Sequence, residues 1–151
     1  MKLSFIQYDV HCTHPFGISR NTHETYPEIF VYLEKDGFIG RGEASPSDRY
    51  GESAELILSI LEKGITFPNK SKTPELFEAN VLAQCQGIKA LEMALSMAYL
   101  DWWTQSQNMP MKDFFGVEKN VGPFTSFTIA IGNVDLIPQK VEEAEPYKIL
   151  K

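Results

Sequence analysis

The stretch TSFTIAIGNVDLIPQKVEEAEPYKILK, residues 125–151, decides the fold of this chain. A β-like run from Thr125 to Ile131 is followed by a helix-like stretch from Asp135 to Ala144 and by a second apolar run from Tyr147 to Lys151. Strand, helix and strand in so short a space predict a βαβ unit with parallel strands. Such a unit needs further strands and helices to cover its sheet. We therefore expect the opening of a parallel α/β domain, in a chain that is a fragment of a longer protein.

The first 43 residues have the pattern of β structure. Runs with β-branched and aromatic residues lie at Leu3–Val10, Ile29–Leu33 and Phe38–Glu43. The Lys-Asp-Gly sequence at 35–37 predicts a hairpin turn between the last two runs. The stretch from His14 to Pro27 is rich in turn-forming and hydroxyl residues, so we expect a long functional loop there.

Helical signals dominate the middle of the chain. Apolar residues recur at helical spacing over Ser53–Lys63, with Gly64 as the expected C-cap. Thr-Pro-Glu at 73–75 is a helix start signal, and the helix should run to about Ala83. A longer helix is predicted from Gly87 to Ser106, before a short turn at 112–115. With the strands, these helices predict a three-stranded antiparallel meander followed by a helical bundle.

Bulk composition excludes several classes of function. Apolar residues make up 43% of the chain and charged residues 23%, which are ordinary globular values. The net charge of −6 and the pI near 5.1 argue against nucleic acid or an anionic membrane as partner. Cys12 and Cys85 lie in no metal-binding or redox spacing, so we expect reduced thiols. With no visible signal peptide, these features predict a cytoplasmic protein.

The histidines do not predict a metal site. His11, His14 and His23 cluster in the sequence. On a strand, however, residues three apart point to opposite faces, so His11 and His14 fit no standard ligand spacing. We interpret them as solvated loop histidines rather than metal ligands.

Three short segments, taken in order, carry a family resemblance. They are PFGISR at 15–20, GRGEASP followed by DRYGE at 40–52, and the strand pair with TSFT at 125–128 and ILK at 149–151. In this order they resemble the enolase superfamily, in the muconate lactonizing enzyme subgroup, and most closely the dipeptide epimerases of the L-Ala-D/L-Glu type. The resemblance implies an α+β capping domain at 1–116, a linker at 117–124 and the incomplete start of a modified (β/α) TIM-type barrel at 125–151.

The resemblance also implies a chemistry. Members of this subgroup are Mg²⁺-dependent isomerases that abstract a proton α to a carboxylate, which requires bases and cations around the enediolate. The metal ligands and the remaining catalytic lysines would lie outside this chain, which should therefore be inactive alone. The implied partners are a small carboxylate or dipeptide substrate and further copies of the full-length protein in a homo-oligomer.

Five residues match the family's site positions. Lys151 matches the first lysine of a catalytic Lys-x-Lys pair, against the alternative of a snorkelling lysine at a strand end. Arg20 matches a loop arginine that can pair with a substrate carboxylate. The alternative interpretation is an ordinary surface arginine. Thr128 matches a strand hydroxyl near the substrate, with core packing as the rival. Phe16 and Tyr50 resemble aromatic walls of two capping loops, although simple packing explains aromatics equally well.

Several interpretations stay open beside the epimerase. A muconate-type cycloisomerase or an o-succinylbenzoate synthase would share the scaffold and differ in what the loops admit. A non-catalytic capping-type domain that binds a peptide or another subunit is the alternative outside enzymes. Glu43 is interpreted as a structural residue of the hairpin, and the Asp-Trp-Trp sequence at 101–103 as interface packing.

Overall fold

The computed structural model describes residues 1–18, 21–68, 73–118 and 122–151, with the side chains of Ile18 and Asn21 left out. Strands β1 (Lys2–Ile18), β2 (Asn21–Lys35) and β3 (Phe38–Ala44) form one sheet in the order β1-β2-β3. The antiparallel meander is confirmed, and β2 pairs with β3 from Ile29 opposite Ala44 to Lys35 opposite Phe38.

The hairpin turn between β2 and β3 forms where the sequence predicts it. Asp36 and Gly37 both have positive φ, at 54° and 83°. Two consecutive positive φ values are the requirement of a two-residue hairpin turn of type I′, and Asp-Gly is a preferred sequence for it.

The predicted loop between His14 and Pro27 is wrong, because β1 continues to Ile18 and β2 begins at Asn21. Proline is tolerated where a strand has an open edge, since its missing N–H then breaks no ladder bond. Pro15 lies on β1, which is an edge strand of the sheet. Pro27 lies on β2 beyond Ile29, where the pairing with β3 ends. Both prolines are therefore compatible with a long hairpin.

Four helices follow the sheet, and the first two begin with a hydroxyl residue as N-cap. They are α1 (Ala54–Lys63), α2 (Pro74–Val81), α3 (Lys89–Ser106) and α4 (Met111–Phe114), with short 3₁₀ helices at Asp48–Tyr50 and Leu82–Cys85. The Ser53 and Thr73 hydroxyls accept bonds from the backbone N–H three residues on, as N-caps do. None of the described helices is long and apolar enough to cross a membrane.

Helix α3 lies directly on β3. A Cβ added to Gly40 would stand 1.8 Å from the Ala98 carbonyl oxygen, and one added to Gly42 would stand 1.9 Å from that of Ala94. Only glycine lets the two backbones approach so closely. The apolar residues Leu91, Leu95 and Ala98 of α3 are buried. The core between sheet and helices also includes Val31, Leu33, Ile57 and Phe77.

The C-terminal segment forms the predicted βαβ unit. It consists of β4 (Ser126–Phe127), a 3₁₀ helix at Val134–Leu136, α5 (Ile137–Glu143) and β5 (Ile149–Leu150). Strands β4 and β5 pair in parallel. The described residues fall into two compact units, one with 1–9 and 27–118, the other with 10–26 and the C-terminal segment. The boundaries at 116 and 124 stay a prediction.

Candidate functional site

The parallel pairing of β4 and β5 brings Thr128 and Lys151 side by side. The Lys151 N–H donates to the Phe127 carbonyl at 2.9 Å, and the Ile129 N–H donates to the Lys151 carbonyl at 2.8 Å. Because Phe127 is already paired with Leu150, this ladder places Thr128 opposite Lys151. Residues opposite each other in a sheet share a face. Two of the predicted site residues therefore meet at the carboxyl ends of parallel strands, where α/β folds bind ligands.

Phe16 lies near the tip of the β1–β2 hairpin, in the same unit as this strand pair. Its neighbour Gly17 accepts a hydrogen bond from the Ile131 N–H at 3.1 Å. Ile131 is three residues beyond Thr128. Phe16 itself is 36% exposed, so its ring is available to a ligand. The structure thus brings the C-terminal end of β1 to the segment that follows β4.

His14 joins the hairpin to helix α5. Its Nε2 lies 2.5 Å from the Glu143 carboxylate, and because a carboxylate only accepts, this nitrogen carries the proton. Gln139 donates to the other carboxylate oxygen at 2.8 Å. These two bonds, first that from His14, hold the pKa of Glu143 below its ordinary value. Among the described residues no three His, Cys, Asp or Glu side chains converge on a possible metal position.

Two of the predicted site residues, Arg20 and Tyr50, are not among the described residues of the unit that contains Thr128 and Lys151. Arg20 lies outside the described residues. Tyr50 belongs to the other unit, where it ends the 3₁₀ helix at 48–50 and is 72% exposed. The Arg49 guanidinium lies 5.8 Å from the centre of its ring. Its role as an aromatic wall stays a prediction.

Glu52 is the main structural carboxylate, and sequence reasoning missed it. Its Oε1 accepts hydrogen bonds from the backbone N–H groups of Lys89 (2.7 Å) and Ala90 (3.2 Å). Glu52 is only 6% exposed, so it is a buried charge that satisfies the first orphan donors of α3. The sequence signal was the absence of a hydroxyl or amide at the start of α3, where Ile88 stands as the N-cap.

Glu28 is a second buried carboxylate near the end of β3. It accepts a hydrogen bond from the Ser45 hydroxyl at 2.8 Å, but its Oε2 has no partner within the described chain. Burial, and to a smaller extent the charge of Glu43, raises the pKa of Glu28 although the Ser45 bond opposes it. Glu43 itself is exposed on β3.

Asp101 and Trp102 connect α3 to the sheet, whereas the Trp103 ring packs edge-on against Phe114. The Asp101 carboxylate accepts from the Arg41 N–H at 2.9 Å, and the Trp102 indole donates to the Lys35 carbonyl at 3.0 Å.

Comparison with known proteins identifies relatives along the entire chain, although no family profile matches it. The chain is 28% identical over 153 residues to the L-Ala-D/L-amino acid epimerase of Flavobacterium johnsoniae, with all of this chain and 45% of that protein aligned. It is 31% identical over 143 residues to the hydrophobic dipeptide epimerase of a Flavobacteria bacterium, covering 93% of this chain and 40% of that one. The chain thus spans less than half the length of these relatives.

Solved structures share the fold. The dipeptide epimerase from Methylococcus capsulatus, solved with Mg and the dipeptide L-Arg-D-Lys, superposes with a TM-score of 0.85 at 22% identity over 99% of this chain and 44% of its own. Homologues of this chain are therefore dipeptide epimerases, and its fold is that of the corresponding part of enolase-superfamily proteins.

Proposed function

We propose that this chain, homologous to dipeptide epimerases of the enolase superfamily, is the N-terminal part of a Mg²⁺-dependent isomerase that epimerises dipeptides. The observation that carries the proposal is the parallel pairing of Thr128 and Lys151, two residues that match family site positions. Residues 1–116 would form the capping domain, and residues from 125 onward would begin the catalytic barrel. The full-length protein would form a homo-oligomer in the cytoplasm.

Epimerisation removes the proton on the carbon next to a carboxylate and returns a proton from the opposite face. A base is therefore needed on each side of that carbon. A lysine with an ordinary pKa of about 10.4 stays protonated near neutral pH and cannot serve as one. The Lys151 ammonium would lower the pKa of a second lysine two residues further on, because like charges disfavour each other's protonation and residues two apart on a strand share a face.

The other predicted residues would bind and orient the substrate. Thr128, beside Lys151, offers a hydroxyl that can donate to or accept from a substrate peptide group. Phe16 and Tyr50 would provide apolar walls, and Arg20 would pair with a substrate carboxylate. Mg²⁺, held by residues outside this chain, would supply positive charge for the enediolate. Because those ligands and the second base are not in this chain, we expect it to be inactive by itself.

The experiment is α-proton exchange by the full-length protein. The protein is incubated in D₂O with Mg²⁺ and a panel of L-Ala-L-Xaa dipeptides with acidic, basic and apolar second residues, and the loss of each α-proton signal is followed by ¹H NMR. We expect exchange at the second residue of at least one dipeptide. The proposal fails if no dipeptide exchanges.

Substitution of Lys151, with Lys148 as the control position, tests the role assigned to Lys151. Lys151→Ala should lower the exchange rate by about 10²–10⁴-fold, the usual contribution of acid–base groups. It should also move the pH optimum upward, because the second lysine then regains a higher pKa. Lys148→Ala is the matched control, since the Lys148 ammonium lies over the Phe124 ring at 4.0 Å and should leave the rate nearly unchanged. Equal rates for the two variants would contradict the role of Lys151.

A further inference from the structure

The C-terminal end of strand β1 is held at two points by the C-terminal segment of its own unit. The first is the bond from the Ile131 N–H to the Gly17 carbonyl. A Cβ on Gly17 would lie 2.4 Å from the Ile131 carbonyl oxygen and 3.1 Å from the Thr22 hydroxyl. The nearest of these atoms is backbone, which no rotamer change can move away. Position 17 therefore admits only glycine while this contact exists.

The second point is the bond between His14 and Glu143 on α5. Both oxygens of the Glu143 carboxylate are engaged, one by His14 and the other by Gln139 one helical turn earlier. The His14 and Glu143 side chains are partly exposed, at 30% and 39%. Gln139 and its helix thereby orient the acceptor for His14, and a charge-assisted bond of this kind is stronger than a neutral one.

We propose that Gly17 and His14 are positioning residues that latch the C-terminal end of β1 onto the βαβ unit and so set where Phe16 stands relative to the Thr128–Lys151 pair. Phe16 lies between His14 and Gly17 along the chain, so it directly precedes one anchored residue and follows the other by two positions. The Ile131 anchor follows β4 by four residues, which ties the hairpin to the strand end that carries Thr128. The functional part of this proposal rests on the epimerase proposal above.

The latch predicts a distinct kinetic signature. An aromatic wall that contacts substrate and transition state equally contributes to binding and not to the chemical step. Releasing the latch should therefore raise KM for dipeptides while leaving kcat nearly unchanged. Lys151→Ala should instead lower kcat. The two kinds of variant thus separate positioning from catalysis.

The latch itself is tested by amide hydrogen exchange on the 151-residue chain, which needs no activity. In Gly17→Ala the amides of Ile131, His14, Phe16 and Gly17 should exchange roughly 3- to 10-fold faster, as expected for the loss of one hydrogen bond. His14→Leu should have a similar effect at residues 14–17, and His14→Gln should restore protection because its amide can still donate to Glu143. Gly122→Ala is the control, since a Cβ there meets no atom within 4 Å.

Unchanged exchange at Ile131 in Gly17→Ala, with fluorescence of Trp102 and Trp103 showing that the other unit is folded, would overturn the latch. Faster exchange with unchanged KM in the full-length protein would overturn the positioning role of the latch. Absence of all epimerase activity would refute the proposed function, whereas the exchange measurement would still decide whether the two contacts hold the hairpin.

Discussion

Replacing Gly42 by alanine should force helix α3 away from the sheet. The new Cβ would lie 1.9 Å from the Ala94 carbonyl oxygen, 2.8 Å from its carbonyl carbon and 3.0 Å from the Ala98 nitrogen. Ordinary van der Waals contact begins at 3.4 Å. The two backbones must therefore separate by about 1.5 Å, since no flexible side chain can yield in a close-packed interior.

The expected cost follows from the contacts that this separation weakens. A gap of about 0.5–1 Å already forfeits a quarter to a half of the dispersion energy between facing atoms. The buried residues of α3 include Leu91, Leu95 and Trp102. Overpacking of cores costs about 1–3 kcal/mol and occasionally more. Because backbone rather than side-chain atoms clash, we expect about 3 kcal/mol, or a Tm lowered by roughly 6–12 °C.

The assay is urea unfolding followed by tryptophan fluorescence. Both tryptophans of the chain, Trp102 and Trp103, lie on α3, so the signal reports the unit that contains the substitution. Gly122→Ala is the control for replacing glycine by alanine where a Cβ meets no neighbour. If the free energy of unfolding of Gly42→Ala lies within about 0.5 kcal/mol of that of the parent chain, the close approach of α3 and β3 does not constrain position 42 and the prediction is refuted.

Three further predictions concern buried groups. Glu52→Ala should lower the free energy of unfolding by about 1–3 kcal/mol in the same urea assay, because the α3 N-terminus loses its acceptor, while Glu52→Gln should lose less. The raised pKa of Glu28 means that its contribution to stability is present at low pH and is lost as the pH rises through the folded-state pKa. Glu28→Gln should therefore flatten the fall in Tm as the pH rises above the ordinary titration range of a carboxyl group, and an unchanged slope would contradict this. Burial raises the pKa of the Cys85 thiol to about 11, so iodoacetamide should label the half-buried Cys12 well before Cys85 in the native chain, as mass spectrometry of the labelled peptides would show.

Local signals predicted most of the secondary structure. Thr73 caps α2 and Gly64 follows α1 as predicted, and Asp36-Gly37 forms the expected turn. Such features depend on hydrogen bonds within a few residues, so the sequence pattern contains all their partners. The parallel pairing of β4 and β5 was also predictable, because a strand, a helix and a strand in succession form one handed unit.

Residues 14–27 were predicted to form a loop, and the reason that they form strands is not contained in the local sequence. Residues 14–27 carry prolines and polar side chains, which favour a loop when read alone. They extend the hairpin because each strand offers the other a ladder of hydrogen-bond partners, and because the prolines stand at open edges of that ladder. Edge and centre positions are properties of the assembled sheet, so single-residue preferences change sign between them.

By itself the sequence determined the order and type of the elements, the short turns and caps, and the candidate residues that share one strand pair. Only the tertiary structure decided that Gly17 meets Ile131, that His14 meets Glu143 and that Glu52 caps a helix 37 residues away. The physical reason is that these contacts join groups distant along the chain. Their partners are selected by how helices and strands pack, and no periodicity or local propensity encodes that choice.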